Sequence, residues 1–216
     1  GNMKIIRKVE LKPGSYEEEL PGISAEFPYI ASYVELDKYA GKQSPWHWHK
    51  EAELFYMEQG RPEYDTPHGK TVFTAGSGGL VNSNLLHMSG AKDGEGSVVS
   101  LLHIFNPLLI SGQSGSIIDR KYVSPLMTAS HVEIIGLYPD QPSHVPVLET
   151  LRQSFRIMSG NLRTKDCTKG TVYIGYLYMD TLLLLLLQCL AKFFQQHLLI
   201  QCLLQFKVKL LRRVKG

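Results

Sequence analysis

Short apolar runs broken by Gly, Pro, Asn and Asp fill the first 160 residues. Runs of this length, closed by turn residues, are the mark of β-strands in a sandwich or barrel. The pattern predicts strands over 25–36, 47–58, 61–65, 70–74, 79–81, 87–89 and 97–104. Thr66-Pro67-His68-Gly69 lies between two of them. Proline presets φ and glycine accepts positive φ, so this stretch is expected to turn the chain and make a hairpin. Asn82-Ser83-Asn84 and the polar, glycine-rich 91–96 are two further turn signals. Strands at such regular intervals predict a double-sheet jelly roll or a small barrel.

The pattern changes after residue 105. Residues 111–116 read as a connector, and 120–125 and 131–138 are expected to add two edge strands. Val147, Leu148, Leu151, Phe155 and Met158 recur at helical intervals, which predicts a helix over 143–158. From about Tyr173 the composition changes, and from the six-leucine run 182–187 onward the chain is rich in leucine and glutamine, with neither Pro nor Gly until Gly216. One long helix, or two joined ones, is expected there. Gln188, Lys192, Gln195, Gln196, His197 and Gln201 interrupt every apolar window long enough to cross a bilayer, so no membrane span is expected. The chain therefore divides into a barrel over 1–140 and a helical segment over 141–216.

Composition narrows the class. Hydrophobic residues make up 44% and charged residues 20%, as in ordinary globular protein. A net charge of +3 does not by itself imply nucleic acid. Cys167, Cys189 and Cys202 form no CxxC pair. An odd, scattered set argues against a disulfide framework and for a reducing compartment. Residues 3–12 lack the apolar core of a signal peptide, and a cytoplasmic protein is expected. The basic cluster Lys207, Lys209, Arg212, Arg213 and Lys215 suits a solvated helix end, where cations complement the helix dipole.

The chemistry concentrates in 41–60, GKQSPWHWHKEAELFYMEQG. His47, His49 and Glu53 are all odd-numbered, so an unbroken strand points all three to one face. Two imidazoles and a carboxylate on one face make half of a metal site. A bend between His49 and Glu53 breaks that parity.

Gly41, five residues, His47-x-His49, three residues, Glu53, six residues, Gly60 resembles the first motif of the cupin superfamily. The wider text over 27–60 is similar to the N-terminal sensor domain of AraC-type transcription regulators, and so is the 120–125 segment. The resemblance covers about 22–158. It implies a mainly β cupin double-stranded β-helix, a jelly-roll barrel, followed by C-terminal helices. In a second cupin motif, Gly76 matches the turn glycine and His87 the last histidine. Ala75 and Ser77 depart from the usual proline and aspartate there. The resemblance implies that His47, His49, Glu53 and His87 hold a divalent metal (Zn, Fe, Mn or Ni). In the alternative it implies, these residues hydrogen-bond an organic ligand and no metal is bound. The aromatic residues Trp46, Trp48, Phe55 and Tyr56 flank the motif. Trp46, Phe55 and Tyr56 are candidates for ligand contact, against the plainer reading of core packing. His68, His103, His131, His144 and His197 have no partner spacing and receive no role.

Two functions follow from the resemblance. The first is a sensor: a small effector, a sugar or related metabolite, binds in the barrel, and the helices that follow dimerise the protein and carry the signal. No catalytic residue is needed. DNA would be reached only through a helix-turn-helix region, which is not visible in this chain. The second is a metal-dependent cupin enzyme, an isomerase or dioxygenase, with Glu51 or Tyr56 as acid or base.

Overall fold

In the computed structural model, residues 3–91 and 96–159 are described. The expectations for Cys167, Cys189, Cys202, the leucine-rich stretch and the basic cluster lie outside them. Nine strands are described: β1 (Lys4–Ile6), β2 (Tyr29–Glu35), β3 (Ala52–Gln59), β4 (Pro62–Thr66), β5 (Gly69–Val72), β6 (Gly78–Val81), β7 (Met88–Ala91), β8 (Val99–Phe105) and β9 (Ile134–Leu137). They form a six-stranded sheet in the order β1-β2-β8-β3-β6-β9 and a three-stranded sheet in the order β5-β4-β7. Residues of both sheets line one cavity, so the sheets face each other as a jelly roll. The predicted hairpin is present, with β4 and β5 paired up to Thr66 opposite Gly69.

The large sheet is buried on both faces, and strand parity separates them. Ala52, Leu54 and Tyr56 of β3 pack in one cluster with Leu101 and Phe105 of β8. Phe55, Met57, Tyr64, Phe73 and Val81 form a second cluster on the side of the small sheet. This two-sided burial explains the unbroken apolar text of β3, which carries no alternation to read.

The first cluster is completed by helices. The predicted helix is α3 (Val145–Ser159), and Val147, Leu148, Leu151 and Phe155 bury one stripe of it against the sheet. Two short helices, α1 (Leu108–Ser111) and α2 (Ser124–Met127), add Ile110 and Leu126.

The strand expected over 120–125 is instead helical. A π-turn at Asp119–Val123 runs directly into α2. Its start is capped reciprocally: Asp119 N–H donates to Ser116 Oγ at 3.1 Å, and Gly115 N–H donates to the Asp119 carboxylate at 2.7 Å. Pro125 falls in the first turn of α2, where its missing N–H costs nothing. Val123 and Leu126, three apart, both enter the core. The second expected edge strand, over 131–138, is β9, which pairs with β6 at the sheet edge. Asn82 ties the helical excursion to the barrel, donating to the carbonyls of Leu126 and Val132 at 3.0 and 2.9 Å.

Two glycines of the motifs are required by geometry. Gly60 has φ +79°, and a Cβ there would meet Val98 at 2.7 Å and the Ser97 carbonyl at 2.8 Å. Gly76 turns the chain with φ +87°. Gly79 is constrained by space instead: a Cβ would collide with the Ile135 carbonyl and lie 2.7 Å from the Phe55 ring. Gly79→Ala must therefore part β6 from β9 or displace Phe55. A loss of about 2–3 kcal/mol of stability is expected in urea denaturation, and an unchanged midpoint would show that the sheet edge gives way freely.

Candidate metal centre and ligand cavity

The strand expected over 47–58 begins only at Ala52, because the chain bends at Lys50–Glu51. His47 and His49 stand on the extended segment before that bend. The parity argument fails along the chain, yet all three side chains are buried: His47 is 5% exposed, His49 1% and Glu53 4%. What holds the histidines is pairing with the rest of the barrel. His47 and His87 exchange both backbone hydrogen bonds at 2.9 Å, an antiparallel pair that places their rings 4.3 Å apart. The 82–84 turn is fixed to the same segment, since Asn84 N–H donates to the His49 carbonyl at 2.8 Å.

Each ring is oriented by a backbone carbonyl. Nδ1 of His47 lies 2.8 Å from the Pro45 oxygen, that of His49 2.9 Å from Glu51, and that of His87 2.9 Å from Leu85. A carbonyl only accepts, so each Nδ1 carries the proton and each Nε2 presents its lone pair. One ligating nitrogen from each of the three histidines lies within 4.8 Å of the others. His49 Nε2 is buried and has no hydrogen-bond partner. Glu53 Oε2 stands 3.5 Å from it.

Glu18 joins the group, and no sequence signal pointed to it. Its Oε2 is 3.9 Å from His47 Nε2. Segment 16–18 runs beside Trp48, with Trp48 N–H donating to the Tyr16 carbonyl and Glu18 N–H to the Trp48 carbonyl, both at 2.9 Å. A run of three glutamates reads as a solvated surface. Only the pairing with Trp48 turns the middle one inward.

Burial pushes the Glu18 carboxyl up to about 7, with the His49 charge opposing and the Glu53 charge adding. Burial also brings His47 down to about 4. His87 falls well below the usual imidazole range, by burial first and then by its two neighbouring imidazoles. For His49 burial acts downward too, but the Glu53 and Glu18 carboxylates outweigh it and the net shift is upward. Protons on this centre therefore reside on Glu18 and His49, the two groups shifted upward, and a bound cation displaces them.

Donor chemistry fits a divalent cation. Three imidazole lone pairs converge, Glu18 stands beside His47 and Glu53 beside His49, and no lysine or arginine makes an ion pair with either carboxylate among the described residues. The metal-free centre is costly for the same reason. Glu18 is ionised in the unfolded chain above about pH 4.5 but holds its proton to about pH 7 in the fold. The folded state binds more protons across that window, so its penalty is complete above pH 7 and disappears as pH falls to 4.5. Glu18→Gln is expected to stabilise the metal-free protein by about 1–2 kcal/mol at pH 8 and by nothing at pH 4.5. Denaturant melts at the two pH values give the difference, and equal effects at both would show that Glu18 is not desolvated.

The centre opens into a cavity of about 700 Å³. Glu18, Glu53, His47 and His87 line its deep end, with the phenols Tyr39 and Tyr64 and the hydroxyls of Ser44, Ser89 and Ser100. Burial raises both phenols above their ordinary range, so they remain protonated donors. Val34, Leu102 and Ile104 supply an apolar wall.

The flanking aromatic residues stand elsewhere. Trp46 and Trp48 alternate with the histidines and are half-buried outside the cavity lining. Phe55 is fully buried, stacked on Tyr64 with centroids 5.0 Å apart. Tyr56 packs on the opposite face, in the cluster with α3. Tyr64 and Tyr39 are the aromatic residues that reach the deep end.

The sheet order, the helix packed behind the large sheet and the histidine cluster in the cavity between the sheets define a cupin-type jelly-roll barrel. No family model matches the chain, and no curated protein matches it. Among solved structures it is similar to an RmlC-like cupin from Shewanella frigidimarina, at 15% identity and TM-score 0.31, covering 37% of this chain and 67% of that one. It is also similar to ToxT from Vibrio cholerae, at 8% identity and TM-score 0.42, covering 69% of this chain and 53% of that one. The AraC-like transcriptional activator CuxR matches at 12% identity and TM-score 0.42, over 66% of this chain and 43% of that one. The chain thus spans about half the length of these two proteins. Among the described residues, no helix is long and apolar enough to cross a membrane.

Proposed function

We propose that this barrel is the sensor domain of an AraC-type transcription regulator and that it binds a small, hydroxyl-rich effector, a sugar or related metabolite. The carrying observation is the 700 Å³ cavity, whose deep end is polar and whose wall is apolar. Carboxylates and imidazoles accept hydrogen bonds from ligand hydroxyls, the two phenols donate, and Leu102 and Ile104 cover the ligand's apolar edge. His47, His49, His87 and Glu53 hold a divalent metal, Zn, Fe, Mn or Ni. Such an ion supplies a positive anchor for one ligand oxygen.

The signal leaves by the helix behind the sheet. Strand β2 lines the cavity through Ser32 and Val34 and carries Tyr29 on its other face, where Tyr29 donates to His103, which contacts Ser154 of α3. An effector that favours one position of β2 biases the seat of α3, which is a population shift between two arrangements. The chain after α3 provides the dimer contact, and DNA is reached through a region beyond this barrel.

Binding is tested by thermal shift of the purified protein against a panel of sugars and sugar acids, with and without divalent metal. A ligand that raises Tm and loses its effect in Tyr64→Phe or Ser100→Ala supports the sensor. Turnover of a panel member without effector behaviour would overturn it in favour of a metal-dependent enzyme. One observation favours that second reading: Glu18, with its pKa near 7, is placed beside the histidines where an acid or base could act.

A further inference from the structure

Glu17 and Glu18 are neighbours with opposite surroundings. Glu17 is half-buried against two cations, with Lys12 at 2.7 Å and Lys50 at 3.5 Å. Glu18 faces inward, its side chain 11% exposed, and its recorded ion-pair partner is His47. The segment that carries it is ordered by a turn of its own. Lys12 N–H donates to the Glu17 carbonyl at 2.8 Å, Glu19 N–H donates to the Glu10 carbonyl at 2.8 Å, and Leu11 pairs with Glu18. On the other side Glu18 is bound to Trp48, the residue between His47 and His49. Its carboxylate is thus held in register with two of the three histidines.

The distances have a single chemistry in common. A separation of 3.9 Å between Glu18 Oε2 and His47 Nε2 is too long for a hydrogen bond. So is the 3.5 Å between Glu53 Oε2 and the buried, unpartnered His49 Nε2. Two donor atoms that share one ion, each about 2.1 Å from it at angles between 90° and 180°, lie about 3.0–4.2 Å apart. Both separations fall in that range, while only the three imidazole nitrogens already lie within 4.8 Å of one another, so each carboxylate has to close on the ion from the side of its own histidine.

We propose that Glu18 is a direct ligand of the cation centre, making it a three-imidazole, two-carboxylate site that takes a five- or six-coordinate divalent ion in preference to tetrahedral zinc. This rests on the reading that His47, His49 and His87 bind metal. Five protein donors exceed the four of a tetrahedral zinc site and suit Mn(II), Fe(II) or Ni(II). Two carboxylates neutralise the ion, so the loaded centre carries no net charge. At most one position of an octahedron then stays open, and the effector reaches the ion through a single atom.

Cobalt(II) is the probe, because its visible absorption is weak in five- or six-coordinate sites and intense in tetrahedral ones. The whole chain, freed of metal, is titrated with cobalt(II) as wild type, Glu18→Gln, Glu18→Asp and Glu17→Gln. Wild type and Glu17→Gln are expected to bind equally and to absorb weakly. Glu18→Gln is expected to bind at least ~100-fold more weakly, with stronger absorption as the coordination number drops. Glu18→Asp keeps the charge but shortens the reach, and an intermediate loss is expected there. It also carries the test if Glu18→Gln does not fold. Wild-type affinity and spectrum in whichever Glu18 variant folds would overturn the role of Glu18 while leaving the three-histidine centre standing. If wild type itself takes up no cobalt(II), the metal reading fails and this proposal fails with it.

Discussion

His87→Ala, and separately the His47→Ala, His49→Ala pair, are expected to abolish divalent-metal binding, a loss of at least ~100-fold in affinity. The reason is geometric. His87 is distant in sequence and reaches the centre through its backbone pairing with His47. Its Nδ1 is occupied by the Leu85 carbonyl, so Nε2 is committed to the centre and no other described histidine lies within the group. A metal at about 100 times its dissociation constant stabilises the fold by about 2.7 kcal/mol. For a chain of this size that is ~5–10 °C in Tm. The wild type should show this shift with Mn(II), Fe(II), Ni(II) or Zn(II), and the variants should show none. Elemental analysis after dialysis gives the stoichiometry. Retained binding in His87→Ala would refute the centre. A variant that melts at the wild-type metal-free temperature shows that the loss is not unfolding.

The second large effect is acid instability centred on His103. This residue lies on the other face of the sheet, away from the cavity, and is fully buried. Ser154 donates its hydroxyl to the Leu151 carbonyl at 2.6 Å, so its oxygen accepts from His103 Nε2–H at 2.7 Å. His103 Nδ1 then accepts from the Tyr29 hydroxyl at 2.8 Å. Phe155 stacks on the ring with centroids 3.7 Å apart and planes 4° from parallel. A second proton on Nδ1 would displace the Tyr29 hydroxyl and place a cation in an apolar core. Burial accordingly brings His103 down to about 3.

In the unfolded chain the same imidazole titrates near 6.5. Between those values the unfolded state binds more protons, so stability falls as pH falls from 6.5 towards 3. The slope from this group approaches about 1.4 kcal/mol per pH unit below its unfolded pKa, or roughly 2 kcal/mol between pH 6.5 and 4.5. His47 acts in the same direction in the metal-free protein, and Glu18 acts in the opposite one. His103→Leu separates the contributions: its stability should drop by about 2 kcal/mol less than the wild type over that interval. Parallel pH profiles for the two proteins would mean that His103 is already charged in the fold.

Local chemistry was legible in the sequence wherever it was sufficient. Proline and glycine in Thr66–Gly69 set a turn whatever surrounds them, and the hairpin is there. The helical spacing of Val147, Leu148, Leu151 and Phe155 marks a face that must be buried, and α3 buries it. Where an element is buried on both sides, the text loses its period. Hence β3 was recognised as apolar, but the direction of Tyr56 was not readable. Residues 120–125 look like a strand by composition, and the Ser116–Asp119 cap and the placing of Pro125 make them helical.

The amino-acid sequence alone determined the turn positions, the amphipathic helix and the spacing that puts two imidazoles and a carboxylate near one another. Those features depend on bonds and contacts between residues a few positions apart. The tertiary structure decided which donors meet. His87 is 40 residues from His47, and Glu18 reaches the centre only because segment 16–18 pairs with Trp48. Backbone hydrogen bonds between distant segments carry no side-chain signature, and so the second carboxylate, the carbonyls that orient the three rings and the seat of His103 against α3 appear only once the chain is folded.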